Sequence, residues 1–313
     1  MQALFGLCRR SGLSVLAYHR VVVERDAMRP GEPTVEEFEA RMRWVAANFD
    51  VMRLWEAARA LRENRLPRRA LCITFDDGYA DNHDLALPVL SQLGLPATFF
   101  IATGYLDGGS MFNDVVIEAL RAAPGPMLDL STFGLGKPAI NSNEERRHAA
   151  GKILEQLKYE VPKRRDEVAR EIAKRAGAAL PTRLMMTSAQ VKALHDAGMD
   201  IGAHTVTHPI LARISIDRAR KEVVDGRARL QQITGAPVRV FAYPNGRPGR
   251  DYRREHARLA QQLGFEAAVS SAWGAARSGG DLYQIPRFTP WDRPNWRFGL
   301  RLIRNLYLNP DLA

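Results

Sequence analysis

The chain has 313 residues, 46% apolar and 26% charged, which allows a sizeable core and excludes wholesale disorder. Its formal net charge is +10, carried by 45 basic residues of which only seven are Lys. Such a surface favours anionic partners, but no nucleic-acid recognition motif accompanies it and nucleic-acid binding is not expected.

Cys8 lies near the N-terminus and Cys72 in an apolar run, so no bridge is implied and a reducing compartment fits. The opening apolar stretch is short and is followed, not preceded, by Arg9 and Arg10, unlike a secretory signal. No run approaches the roughly 18 apolar residues of a membrane span. The expectation is a cytoplasmic protein whose only membrane contact would be peripheral, at the cytoplasmic face.

The first strand candidate covers 14–19 and ends in Leu16-Ala17-Tyr18-His19-Arg20. A His there is either functional or a hydrogen-bonded rim residue. Thr34 followed by Glu37 forms a capping box that opens a helix over 35–48. The strand over 70–75 runs into Thr74-Phe75-Asp76-Asp77-Gly78. Two adjacent carboxylates at a buried strand end repel one another unless a cation is present. An Asp-Gly turn is the plainer reading.

A strand over 97–102 follows. The segment 105–186 is too long for one crossover and reads as a helical insertion, with loops at 124–126 and 131–143. Thr187 and Gln190 form a second capping box for a helix over 189–197 that Gly198 stops. The strand over 199–204 leads into His204-Thr205-Val206-Thr207-His208-Pro209. Two His four residues apart can converge on one ion if the chain turns once; otherwise they are loop histidines.

Ser215 opens a long helix that ends at Gly235. The strand over 238–243 ends in Tyr243-Pro244-Asn245-Gly246, a turn whose backbone N–H groups could hold an oxyanion. A helix over 251–263 is closed by Gly264, and strands over 266–270 and 284–288 complete the set. His83, His148, His195 and His256 read as surface residues. Residues 111–114, Trp273 and Trp291 read as ordinary packing, with a cleft or sugar-stacking role second. The tail over 291–313 is basic, and 296–304 is amphipathic; core packing is its default reading and membrane contact the second.

Strand–helix alternation implies an α/β fold, a distorted (β/α) barrel of about seven parallel strands with a helical insertion, as one domain over 1–313. All four chemical clusters fall at carboxyl ends of strands, where such barrels gather functional residues. One Asp and two His would leave an open position for water or substrate, as a catalytic zinc site requires.

TFDDG, HTVTH and a strand ending in YPNG resemble the polysaccharide deacetylase family with the NodB homology domain, carbohydrate esterase family 4, over roughly residues 13–290. LAYHR near the start resembles the permuted arrangement of the poly-N-acetylglucosamine deacetylases. The resemblance implies metal-assisted removal of acetyl groups from N-acetylated sugars. It makes Asp76 the catalytic base and Asp77, His204 and His208 the ligands of a divalent metal. Zinc is expected, with nickel or cobalt as substitutes. It makes His19 the general acid and the backbone N–H of Asn245 the oxyanion donor.

Two departures stand out. Ala242 occupies the position of the family's motif Arg, which supports the base, and Asn245 that of its Tyr. No Leu-x-His follows near the C-terminus, where Ile285-Pro286-Arg287 stands instead. The implied partner is an N-acetylated glycan or a lipid-linked sugar. An amidohydrolase or deformylase acting on a small nucleotide- or lipid-linked sugar would use the same chemistry. A non-catalytic glycan-binding module would not need a free carboxylate beside a metal ligand.

Overall fold

The computed structural model describes residues 11–290 and 292–313, so Met1–Arg10, including Cys8, and Trp291 lie outside the described residues. Seven parallel strands form one sheet: β1 (Ser14–Tyr18), β2 (Asp50–Val51), β3 (Ala70–Phe75), β4 (Thr98–Ile101), β5 (Asp200–Ala203), β6 (Val240–Ala242) and β7 (Ala267–Val269). The order is β1-β3-β4-β5-β6-β7, with the two-residue β2 pairing only the start of β3. Every residue of β3 is buried, as expected of a parallel sheet covered on both faces.

Alternation along the strands divides the core. Leu71, Ile73 and Phe75 of β3 join Phe99, Ile101 and Phe241 under the outer helices. Ala70 and Cys72 face Val15, Phe100, Val240, Ala242 and Val269 on the other side. That inner face is mostly small, and Phe100 fills it closely enough that a Cβ on Gly202 would lie 2.3 Å from its ring. Cys72 is buried and free.

Helices α1 (Val35–Asn48), α2 (Leu54–Arg62), α3 (Leu87–Gln92), α7 (Ser188–Asp196), α8 (Ile216–Thr234) and α9 (Arg254–Gln262) flank the sheet. Both capping boxes form as expected, Thr34 with Glu37 and Thr187 with Gln190. Between β4 and β5 the chain adds α4 (Phe112–Ala122), α5 (Asn143–Leu157) and α6 (Pro162–Arg175), which share an apolar cluster of their own. The last helix, α10 (Asn295–Asn305), seats Phe298 against Trp44 and Phe288.

Two expectations need correction, and two elements are new. The segment 284–288 is not a strand; it makes only two isolated parallel bridges, Ile285 to Val269 and Phe288 to Leu16. Pro286 has no N–H to donate, so a continuous ladder cannot run through it. The bridges still join the two outer strands and draw the half-barrel toward closure. His256 is buried rather than exposed, because its Nδ1 accepts the Arg253 N–H at the start of α9. Helix α2 and the π-helical turn Asn82–Ala86 were not anticipated; neither opens with a side-chain cap.

Asp200 at the start of β5 accepts a hydrogen bond from Thr98 Oγ1 at 3.2 Å, and burial pushes its carboxyl up to about 7. A raised carboxyl favours the folded state only while protonated, so its contribution is lost as pH rises from the unfolded value toward 7. Asp200→Asn keeps an acceptor for Thr98 and removes this titration. Its stability relative to wild type should rise by about 1–2 kcal/mol from about pH 4 to pH 8, a figure discounted for partial solvent contact. Urea midpoints at the two pH values test this; a constant difference would contradict it.

Candidate active site

Strand register brings the site together. Tyr18 pairs with Phe75, so His19 stands level with Asp76, and Ala203 pairs with Phe241, so His204 stands level with Ala242. Asp76 still follows the ladder, its N–H donating to Tyr18 O at 2.9 Å. Asp77 then turns into the left-handed region, φ 74°, followed by Gly78 at φ 93°. That conformation, tolerated by Asp better than by most residues, aims the two carboxylates differently.

Asp76 is clasped by Arg287, whose Nη1 and Nη2 donate to Oδ1 and Oδ2, each at 2.6 Å. Both side chains are buried, and Arg287 is held by Nε–H donating to Ser270 O and Nη1–H to Thr74 Oγ1. Burial alone would raise the Asp76 carboxyl; the paired guanidinium outweighs it and holds it below the usual range. Arg287 thus supplies Asp76 with the guanidinium that Ala242 cannot. Sequence reasoning missed it, although a charged residue inside the apolar run Ile285–Phe288 was a usable signal.

Asp77 Oδ1 lies 3.5 Å from His204 Nε2 and 3.4 Å from His208 Nε2. It is buried and has no hydrogen-bond partner, an expensive state for a carboxylate oxygen. His204 donates Nδ1–H to Ala242 O at 2.8 Å, which turns Nε2 toward Asp77; burial would lower this imidazole, but the nearby carboxylates outweigh it and raise it, so a cation would take the place of a proton on Nε2. Burial pushes His208 down to about 3, so its imidazole is neutral. Donor atoms bonded at about 2.0–2.1 Å in a tetrahedron lie about 3.3 Å apart, close to the separations here. The three residues therefore fit a divalent cation, and they are the only such group found among the described residues.

The HTVTH loop needs support, since Thr205 and His208 both have positive φ, 66° and 50°. Glu222 of α8 accepts from the N–H groups of Val206 and Thr207 and from Thr207 Oγ1. Helix α8 can approach because Gly226 faces Thr205 O, where a Cβ would be 2.8 Å away. From the opposite side Arg165 of α6 donates to the carbonyls of His208 (3.1 Å) and Thr207 (3.0 Å) and to Tyr105 Oη. Arg165 is buried, with its guanidinium over the Phe112 ring. Nothing in the basic sequence of α6 distinguished Arg165 from its solvent-exposed neighbours.

Asp76, Asp77, His204, His208, His19 and Asn245 all line one cavity of about 460 Å³. His19 is exposed at its rim, with its carbonyl accepting from Asn82 Nδ2 in the π-helical turn. Asn245 is left-handed, φ 58°, in a turn closed by Gly246 N–H to Pro244 O. Phe112, Asn113 and Asp114 of α4 and Leu154 of α5 form another wall, so residues 112–114 do border a cleft. Asp114 is pushed up to about 6 by burial, and it accepts from Tyr79 Oη and Arg29. Trp273 lies against Phe288 instead of in that wall.

Because Arg165 grips the loop without touching the ion-binding atoms, Arg165→Met should weaken Zn²⁺ affinity by about 10–100-fold, the range for outer-shell supports. Arg165→Lys should recover part of it. Competition with a chromophoric chelator reads the constants, with His204→Ala as the metal-free control; unchanged affinity in Arg165→Met would remove the clamp.

Known proteins resemble this chain to differing extents. A family model described as polysaccharide deacetylase matches residues 63–125 and 142–268. YxkH of Bacillus subtilis (strain 168), which carries a polysaccharide deacetylase name, is 22% identical over 277 residues, 88% of this chain and 70% of its own. The poly-beta-1,6-N-acetyl-D-glucosamine N-deacetylase of Staphylococcus epidermidis is 30% identical over 81 residues, 26% of this chain and 28% of its own. Among solved structures, the Streptococcus pyogenes deacetylase PplD superposes with a TM-score of 0.61 at 19% identity, covering 90% of this chain and 92% of that one. IcaB from Ammonifex degensii gives 0.60 at 19%, covering 94% and 97%. The fold is common to both. The Asp76–Asp77 strand end and the His204–His208 loop lie inside the matched residues, and the chain belongs to the polysaccharide deacetylase family.

Proposed function

We propose that the protein is a metal-dependent hydrolase that removes N-acetyl groups from an amino-sugar glycan or its precursor. One observation carries this reading: a carboxylate kept ionised by Arg287 stands beside a partnerless carboxylate oxygen facing two imidazoles, in a single cavity. A divalent cation held by Asp77, His204 and His208, with zinc the expected ion, would polarise the acetyl carbonyl and acidify the attacking water.

The protein's own groups divide the remaining work. Asp76 acts as general base. Each of its oxygens gives one lone pair to Arg287 and retains another for the water proton. The Asn245 N–H holds the developing oxyanion. His19, at the cavity rim, protonates the sugar nitrogen as it leaves, since an amine departs poorly as an anion. Fixing these groups before substrate arrives avoids reorganisation during the reaction.

The N-acetylglucosamine polymer named for the Staphylococcus epidermidis relative is the first substrate to test, beside short nucleotide- and lipid-linked N-acetyl sugars. Mass spectrometry of acetyl loss across that panel separates polymer from precursor activity. No acetyl release from any of them would sink the deacetylase reading. His19→Ala should lower kcat on the responsive amide by about 10²–10⁴-fold with metal content unchanged. It should hurt an activated aryl ester far less. Near wild-type amide turnover in the variant would remove His19 from the mechanism.

A further inference from the structure

Helix α10 presents two different apolar faces. Its inner face buries Phe298 and Leu302, and Arg41 lies over the Phe298 ring while donating to Asp292 O and Arg293 O. Its outer face carries Arg293, Trp296, Arg297, Leu300, Arg304 and Tyr307, all exposed. These residues recur at intervals of three and four, so they form one stripe along the helix and its flanks. Trp296 is 59% exposed, Leu300 47% and Tyr307 49%, and no acidic residue occurs between Arg293 and Tyr307.

An outward face that only separates a core from water would be polar, with charges of both signs. This one alternates large apolar or aromatic side chains with guanidinium groups. That composition suits the boundary between lipid headgroups and acyl chains: the rings and Leu300 enter the apolar layer, and the Arg side chains reach anionic headgroups. Charge complementarity selects the occupant. A second copy of the chain would bring two arginine stripes together, which repel. The chain as a whole, at +10, adds to the attraction for an anionic surface.

We propose that α10 docks the protein on a bilayer bearing anionic phospholipids. Thr289, which lines the catalytic cavity, lies six residues before the helix begins. Docking would therefore tether the chain close in sequence to the cavity lining, on a surface that can carry glycans. The binding itself does not depend on the deacetylase reading, so either can fail alone.

The test is co-sedimentation of the full chain with vesicles of phosphatidylcholine, alone or with about 30% phosphatidylglycerol, at moderate salt. The protein should pellet with the anionic vesicles and not with the neutral ones. Trp296→Ser/Leu300→Ser and, separately, Arg297→Gln/Arg304→Gln should each weaken partitioning by about tenfold or more. Circular dichroism and acetyl release from a soluble substrate should be unchanged. If the apolar pair unfolds the protein, the surface arginine pair and Leu300→Ser alone carry the test. Failure to pellet with anionic vesicles would overturn the proposal. So would undiminished binding by Trp296→Ser/Leu300→Ser, which would mean charge adhesion alone. A lipid-free dimer abolished by these substitutions, or tighter binding to an oligonucleotide than to vesicles, would reassign the surface and also overturn it.

Discussion

Two carboxylates on consecutive buried residues cannot share one environment. At the end of β3 the conflict is resolved by sending them to different countercharges. Asp76 goes to the guanidinium of Arg287, which reaches it from the segment that draws β7 toward β1. Asp77 turns through a left-handed conformation toward His204 and His208 and retains an oxygen that no protein group satisfies. Much of the upper end of the barrel follows from this separation. The inner face sets the Phe100 ring beneath Arg287, β6 supplies the carbonyl that orients His204, and Glu222 and Arg165 both hold the HTVTH loop. Removing one countercharge would leave a buried charge uncompensated, a strongly destabilising change.

The helical elements between β4 and β5 serve the same end. Arg165 comes from α6, and Phe112 and Asn113 of α4 wall the cavity. This segment therefore contributes to both the rigidity of the HTVTH loop and the shape of the cavity. Its apolar cluster lets it keep that position without relying on the sheet for its packing.

Much of this was legible in the residues. The strand ends announced themselves by apolar runs that stop at Asp, His or Pro-Asn-Gly, and the two capping boxes fixed the starts of α1 and α7. All six candidate residues converge on one cavity because a parallel barrel points its strand ends the same way. Arg287 was harder, because its function depends on barrel closure and not on local pattern. Pro286 turned an apparent strand into a pair of bridges, and only the tertiary register of Phe288 with Leu16 brings the guanidinium over β3. Arg165 and Glu222 were invisible for a related reason: one charged residue in an amphipathic helix looks like any other until packing selects it. His256 was misread because its imidazole replaces the usual Glu or Gln at the third position of a helix, accepting from the N-cap N–H.

The central claim is that the paired carboxylates have distinct jobs enforced by distinct partners. It is tested most directly by measuring metal content and amide turnover together in Asp76→Asn and Asp77→Asn. The account predicts that Asp76→Asn retains close to one divalent ion per chain while losing turnover, and that Asp77→Asn loses both. Equal metal loss in the two variants, or turnover that survives Asp76→Asn, would contradict it.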